Sequence, residues 1–221
     1  MKIKQKPAER VWQDFQQECG LSDLQLAQFQ RYEDLLSRRN QEFNLTAITD
    51  LSGIVRQHFV DSLALGKFID MNQHKVIADI GSGAGFPGLP LKIMFPHLRV
   101  ILIEVTKKKQ QFLLEVIEQL GLTDVEIYDL DWRTFLRTTE YPVDMFVTRA
   151  AIDELELCKA FRPACVYNNA LMVYWVTQQW EAHKKVIELD LVRATHDYKL
   201  GNKHRRLAVM GLKKESQGES L

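Results

Sequence analysis

The chain lacks any apolar run approaching the ~18 residues of a membrane-spanning helix. Its start, Met1 to Arg10, is basic with no apolar segment behind it, so neither a membrane span nor a secretory leader is expected. Cysteine is scarce: Cys19, Cys158 and Cys165 are the only three, without CxxC spacing or a histidine pattern. That speaks against a zinc centre or a disulfide framework and for free thiols in a reducing compartment. Net charge is missing too. The 29 Lys and Arg balance 29 Asp and Glu, so no global field draws the chain to a polyanion, and any nucleic-acid surface must come from local clusters. Internal repeats and heptads are absent. The resulting expectation is a metal-free, monomeric, cytoplasmic protein. What is present suffices for a packed core: 221 residues, 46% of them hydrophobic, make one domain or one domain with an appendage.

Two grammars divide the chain. Residues 1–70 read as a helical extension. Val11, Trp12, Phe15 and Cys19 recur at helical spacing and Gly20 stops that segment. Ser22 is a candidate cap for a second helix, with Leu24, Leu26, Phe29, Tyr32, Leu35 and Leu36 as its apolar stripe. Phe43-Asn44-Leu45-Thr46 reads as a loop. Ser52 is expected to open a helix through about Lys67. From 71 to 214 the pattern alternates strand and helix. Strands are predicted at Val76–Ile80, Val100–Ile103, Val125–Tyr128, Val143–Thr148 and Ala170–Val176. Helices are predicted at Pro90–Phe95, Lys107–Leu120 and Ile152–Phe161, and Val186–Val192 with Arg206–Leu212 are expected to close the sheet as an antiparallel edge. This is the pattern of a mostly parallel, Rossmann-like seven-stranded sheet with helices on both faces. Residues 215–221 form a polar tail.

The chemistry gathers at Asp79-Ile80-Gly81-Ser82-Gly83-Ala84-Gly85, directly after a buried strand. Glycines there permit positive φ and let backbone N–H groups approach a ligand at the carboxyl ends of parallel strands. Two registers compete. Gly83-Ala84-Gly85-Phe86-Pro87-Gly88 also matches G-x-G-x-x-G, the dinucleotide fingerprint. Pro87 disfavours helical geometry at Phe86, and Pro90 suggests a later helix start. Asp79 would repel a phosphate but not the cationic methionine portion of S-adenosylmethionine. The balance favours the methyl donor. Glu104, ending the second strand, can accept hydrogen bonds from ribose hydroxyls of either cofactor.

The same stretches resemble the RsmG (GidB) family, bacterial methyltransferases acting on N7 of a guanine in small-subunit 16S ribosomal RNA. The resemblance is carried by Phe43-Asn44-Leu45-Thr46, by Arg56 to Ser62, by Asp79 through Pro90, by Lys107 to Leu113 and by Thr148-Arg149-Ala150. It implies a class I S-adenosylmethionine-dependent methyltransferase with cofactor contacts at Gly81, Phe86 and Arg149, the acid at Glu104, and an adenine-side segment at Trp132-Arg133. Two departures stand out. The family usually has a small or apolar residue followed by Glu where this chain has Trp132-Arg133. It usually ends its fifth strand in Lys-Gly, where this chain has Thr177-Gln178.

N7 of guanine is nucleophilic as it stands and loses no proton on methylation, so alignment rather than a general base is required. Asn44, His58, Asp61 and Arg149 are the candidate positioning residues. His58 and Asp61, three apart on one helix, would form a polar wall with Asn44. Lys107, Lys108 and Lys109 open a helix where cations oppose the dipole, which suggests phosphate contact on 16S RNA or the 30S subunit. Arg205 and Arg206, Arg38-Arg39 and Lys213-Lys214 are further basic groups. Two alternatives stay open: a non-catalytic relative binding RNA or protein, and a dinucleotide-dependent oxidoreductase.

Overall fold

A computed structural model describes residues 7–150 and 152–212; Met1–Lys6, the Lys213-Lys214 pair and the tail lie outside them. Seven strands form one sheet in the order β3-β2-β1-β4-β5-β7-β6. β1 (Val76–Ile80), β2 (Arg99–Ile103), β3 (Val125–Tyr128), β4 (Met145–Thr148) and β5 (Leu171–Thr177) run parallel. β6 (Val192–Leu200) and β7 (Lys203–Met210) close the sheet antiparallel. The strand order reverses between β1 and β2 on one side and β4 on the other, and in such sheets that crevice takes ligands.

The N-terminal segment begins with α1 (Ala8–Cys19), ended by Gly20 in the left-handed conformation. α2 (Asp23–Asn40) is opened by a capping box in which Ser22 and Gln25 satisfy each other's backbone N–H. The third helical stretch opens at Asp50 rather than Ser52, because the Asp50 carboxylate accepts the Gly53 N–H. It runs as α3 (Leu51–Ile54), a π-helical turn over Val55–Val60, α4 (Asp61–Leu63) and a 3₁₀ turn over Ala64–Lys67. Phe29, Tyr32, Leu35 and Leu36 are fully buried, whereas Leu24, expected in the same stripe, is 71% exposed in the first turn.

Strand alternation assigns the two faces of the sheet. Ile77, Val100, Leu102, Met145 and Val147 join the N-terminal helices, α5 (Gly88–Met94) and α6 (Lys107–Gln119) in one core. Ala78, Ile80, Ile101 and Phe146 face α7 (Trp132–Thr138), α8 (Glu154–Leu157) and α9 (Lys184–Glu188) in the other. The expected strand at Val186–Val192 is therefore a correction. Val186 is buried but Ile187 and Leu189 are both more than 60% exposed, which is not a strand alternation, and Asp190 at φ 49° turns the chain into β6. β7 likewise begins at Lys203, earlier than expected. α5 starts at Gly88, two residues before Pro90, which sits in its first turn.

At the centre of the first core, Phe59 packs its ring against Phe29 at 4.9 Å, Tyr32 at 5.4 Å and both Phe15 and Phe86 at 6.0 Å. Phe59→Ala is expected to lower unfolding stability by about 3–5 kcal/mol. Because these rings tie the extension to the sheet, urea titration should show one lowered transition by both circular dichroism and tryptophan fluorescence.

Candidate active site

Gly81, Gly83 and Gly85 all adopt positive φ (70°, 61° and 97°), so the loop after β1 closes without strain only with glycine. At Gly85 a Cβ would also fall 2.5 Å from Tyr32 Oη and Leu89 Cδ1. The loop is hooked to the end of β2: the N–H groups of Gly81 and Ser82 both donate to the Ile103 carbonyl, at 2.9 and 3.1 Å. Glu104 completes the hook. Its Oε2 accepts the Gly83 N–H at 2.9 Å and its Oε1 the Thr106 N–H at 2.8 Å.

Asp79 is fully buried on the face of β1 that meets the N-terminal helices. Its Oδ2 accepts the Gly88 N–H at 2.9 Å, at the start of α5, while Oδ1 has no partner. Burial pushes its pKa up to about 7. In the dinucleotide register a pyrophosphate would occupy this helix start, where a carboxylate already sits.

Behind the cradle stands a wall of stacked rings. Phe86 is buried between Tyr32 (5.4 Å, 18°) and His58 (4.4 Å, 7°). Tyr32 Oη donates to the Ala84 carbonyl at 2.5 Å, so α2 braces the cradle backbone directly. His58 Nε2 lies 2.8 Å from Thr46 Oγ1, and its Nδ1 has no partner. Burial, helped by the Arg149 and Arg205 cations, lowers its pKa to about 4, so His58 is neutral at pH 7. The expected wall of Asn44, His58 and Asp61 is built differently. Asn44 is exposed and Thr46 takes its place at His58. Asp61 lies deeper, in a separate ionic centre.

In that centre, Asp61 is 0% exposed. Its Oδ1 accepts the Tyr198 hydroxyl at 2.6 Å, and its Oδ2 meets Arg205 at 3.1 Å and Arg149 at 3.2 Å. Its backbone carbonyl accepts Trp175 Nε1 at 2.9 Å. Arg149, just past the end of β4, also donates to the Gln57 carbonyl at 2.9 Å and to Ser62 Oγ at 3.2 Å. Gln57 lies within the π-helical turn, a distortion often found at functional sites. Burial lowers the Arg149 pKa, opposed by Asp61.

The remaining predicted residues are spread around this nucleus. Trp132 is buried at the start of α7, which Asp131 caps by accepting the Arg133 and Thr134 N–H groups. The Arg133 guanidinium lies over the Trp132 ring at 4.9 Å and donates to Glu156 at 2.9 Å. Lys107 pairs with Asp129 at 3.1 Å; Lys108 is exposed and Lys109 half-buried. Arg205 and Arg206, expected as RNA contacts, have partners within the chain: Arg205 is paired with Asp61, and Arg206 with Asp197 at 2.6 Å and the Trp180 carbonyl at 3.1 Å. Thr177, at the divergent end of β5, lies opposite Arg205 in the register. Among the described residues no cluster of three or more His, Cys, Asp or Glu could hold a metal ion, and no helix is long and apolar enough to cross a membrane. Sequence reasoning missed Tyr32, Thr46, Trp175 and Tyr198. The sequence marks Tyr32 only as part of an apolar stripe, although a buried tyrosine hydroxyl demands a polar partner.

A glycine cradle at the switch point of this sheet defines the class I methyltransferase fold. Solved structures share it: a human methyltransferase 10 domain containing protein (TM-score 0.55, 15% identity, covering 69% of this chain and 81% of that one), and TrmK of M. capricolum in complex with S-adenosyl-homocysteine (TM-score 0.54, 15% identity, 72% and 71%). More specifically, the family model described as rRNA small subunit methyltransferase G (GidB) matches residues 25–208, and the chain belongs to that family. The "Ribosomal RNA small subunit methyltransferase G" of Geobacillus sp. (strain WCH70) is 38% identical over 77% of this chain and 74% of its own length. The protein of that name from Geobacillus kaustophilus is 48% identical over 53% of this chain. In that second match the chain spans about half, 49%, of the relative's length.

Asp61→Asn leaves two guanidinium groups without their counter-charge and is expected to cost on the order of 3–5 kcal/mol in urea unfolding; Tyr198→Phe, which removes one charge-assisted hydrogen bond, is expected to cost about 1.5–3 kcal/mol. Asp79 and His58 should tilt pH dependence in opposite directions. With its folded pKa raised to about 7, Asp79 holds a proton that the unfolded chain loses near pH ~4, so its contribution falls as pH rises between those values. With its folded pKa lowered to about 4, His58 stays neutral while the unfolded chain takes up a proton below pH ~6.5, so its contribution falls as pH drops. Asp79→Asn should therefore steepen acid destabilisation and His58→Gln should flatten it, measured as unfolding midpoints from pH 4.5 to 7.5 (about the window of both shifts).

Proposed function

We propose that the protein is an S-adenosylmethionine-dependent methyltransferase acting on N7 of a guanine in 16S ribosomal RNA, as a monomer in the cytoplasm. The observation that carries this reading is an intact, glutamate-hooked glycine cradle in a chain of the rRNA small subunit methyltransferase G family.

The residues present fit this cofactor. Glu104 spends one lone pair of each oxygen on a backbone N–H and keeps the others for the two ribose hydroxyls. Asp79 Oδ1, buried and unpartnered, suits a cationic ligand group. Gly81 is exposed and Gly83 half-buried, so a ligand can lie against the loop backbone there, whereas Gly85 is packed under Tyr32 and Leu89. When bound, S-adenosylmethionine supplies an electrophilic methyl group on a sulfonium.

Methylation of guanine N7 would need only the purine's own lone pair, presented to the donor by this chain. No proton leaves N7, so the neutrality of His58 is no obstacle. Positive charge develops on the purine, and a bare guanidinium beside it would oppose that change. Asp61 answers Arg149 with a buried carboxylate at 3.2 Å, so the centre carries less cationic field toward the base. The work of this chain is then alignment and exclusion of water. The Tyr32-Phe86-His58 wall supplies both by holding the cradle rigid from behind.

A second reading, a non-catalytic relative that binds RNA or protein, is favoured by Thr177-Gln178 at the end of β5 and by Arg133, whose side chain is held by Glu156. The deciding measurement is transfer of a tritiated methyl group to 16S RNA or 30S particles, with nucleoside mass spectrometry of the product. Transfer to N7 of guanosine supports the enzyme; cofactor binding without transfer supports the second reading. Glu104→Gln is expected to weaken S-adenosylmethionine binding about tenfold, or ~1.4 kcal/mol, by calorimetry.

A further inference from the structure

The chain has four tryptophans, and three of them serve its two cores: Trp12 and Trp175 pack with the N-terminal helices, and Trp132 with the helices of the opposite face. Trp180 joins neither core. It is half-buried, yet among the described residues no other ring packs on it. What fixes it is polar. Its Nε1 donates to Glu154 Oε2 at 2.7 Å, its N–H to the Thr177 carbonyl at 3.0 Å, and its carbonyl accepts Arg206 Nη1 at 3.1 Å. Arg206 is itself answered by Asp197, at 2.6 and 2.9 Å. The other oxygen of Glu154 accepts the His183 N–H. One carboxylate therefore clamps both ends of the segment from Trp180 to His183, and the indole is held by its edge.

Trp180 stands at the cradle's end of the sheet. β5 runs parallel to β4, and Tyr174 pairs with Thr148, the last residue of β4. Trp175, Val176 and Thr177 carry β5 beyond that point, and the turn at Thr177 leads into Trp180. The loop after β4 connects this place to the cradle. A Cβ on Gly81 would fall 2.9 Å from that of Ala150, so the loop lies against the glycine turn. The Tyr174 hydroxyl donates to the Ile152 carbonyl at 2.9 Å, and Glu154 opens α8 two residues later. Cradle, β4 loop and Trp180 thus follow one another along the carboxyl edge, where open parallel sheets bind their ligands.

We infer that the Trp180 ring is the platform on which the target guanine stacks while its N7 faces the cofactor, with Glu154 as the positioning residue that holds the ring. This rests on the methyltransferase reading above and adds the acceptor side to it. Bases stack on indole faces without regard to sequence, because each has a π-face. Methylation at N7 leaves the purine positively charged, and the face of an indole attracts a cation. The bond from Nε1 to a carboxylate strengthens that attraction by polarising the ring. A lysine at the same place would oppose the developing charge. None is present: β5 ends in Thr177-Gln178-Gln179, exposed and uncharged. The uncharged end of β5 thus suits a reaction whose product base is a cation.

The test is steady-state methyl transfer to 16S RNA or 30S particles by the full chain and its Trp180→Leu, Trp180→Phe and Glu154→Gln variants. Trp180→Leu is expected to lower kcat at least about tenfold, and Trp180→Phe, which keeps a ring, no more than about threefold. Glu154→Gln keeps an acceptor for Nε1 but removes its charge, and is expected to lower kcat about threefold with KM unchanged. Affinity for S-adenosylmethionine and the thermal midpoint should hold in all three variants, which a merely structural role of the segment would not allow. A binding readout stands beside the rates. With S-adenosyl-homocysteine present, 7-methylguanosine in mildly acidic buffer, where it is a cation, should bind the wild type at least about threefold more tightly than guanosine in an NMR titration, and Trp180→Leu should lose that preference. Equal rates in the wild type and Trp180→Leu, Trp180→Phe as slow as Trp180→Leu, or equal affinity for the two nucleosides overturns the platform and leaves methyl transfer by the wild type intact. If Trp180→Leu fails to fold, Trp180→Phe, Glu154→Gln and the nucleoside preference of the wild type carry the decision. A wild type that binds S-adenosylmethionine and transfers no methyl group removes the enzymatic reading, and the platform with it.

Discussion

The molecule is organised around one buried carboxylate. Asp61 sits at the foot of a helical segment that contributes no strand, yet it meets Arg149 beyond β4, Arg205 on β7 and Tyr198 on β6, and its backbone holds Trp175 on β5. Four neighbouring strands are thereby referred to a single point. Burying that carboxylate without its partners would be prohibitive, and burying the arginines without it equally so. The geometry is correspondingly strict: the extension has one seat on the sheet.

That seat decides the shape of the cofactor cradle. The glycines provide a loop that can bend, but glycine alone leaves it loose. Stiffness arrives from the extension, through the Tyr32 hydroxyl on the Ala84 carbonyl and the rings stacked on either side of Phe86. The cradle is therefore gripped from two directions, by Glu104 from the sheet and by α2 and the π-helical turn from behind. Under the proposed function, a site that aligns two reacting atoms would gain from such double support.

What the sequence disclosed, and what it withheld, follows the range of the interactions. The parallel strands, the glycine turn, Glu104 and the α2 cap are encoded in a few consecutive residues and were legible. So was the importance of Arg149 and Asp61 as residues. Their mutual pairing was not, because Asp61 and Arg205 are 144 positions apart. The fates of neighbouring basic residues were hidden for the same reason: Arg205 and Arg206 look alike side by side, but strand alternation sends one to Asp61 and the other to Asp197. At the edge of the sheet, the apolar residues from Val186 to Val192 suggested a strand; only the exposure of Ile187 and Leu189 reveals a short helix. Asn44 and Thr46 lie in one loop, and local pattern could not say which of them would meet His58.

The long reach of the Asp61 pairs also has a bearing on how the protein is made. Synthesis proceeds from the N-terminus, so the helices that carry Phe59 and Asp61 leave the ribosome well before β6 and β7 exist. Until Tyr198 and Arg205 have emerged, the carboxylate lacks two of its three partners and is better off in water than in a core. Closure of the Asp61 centre therefore has to follow formation of the C-terminal hairpin, whereas the ring contacts of Phe59 with Tyr32 and Phe86 need only residues made much earlier.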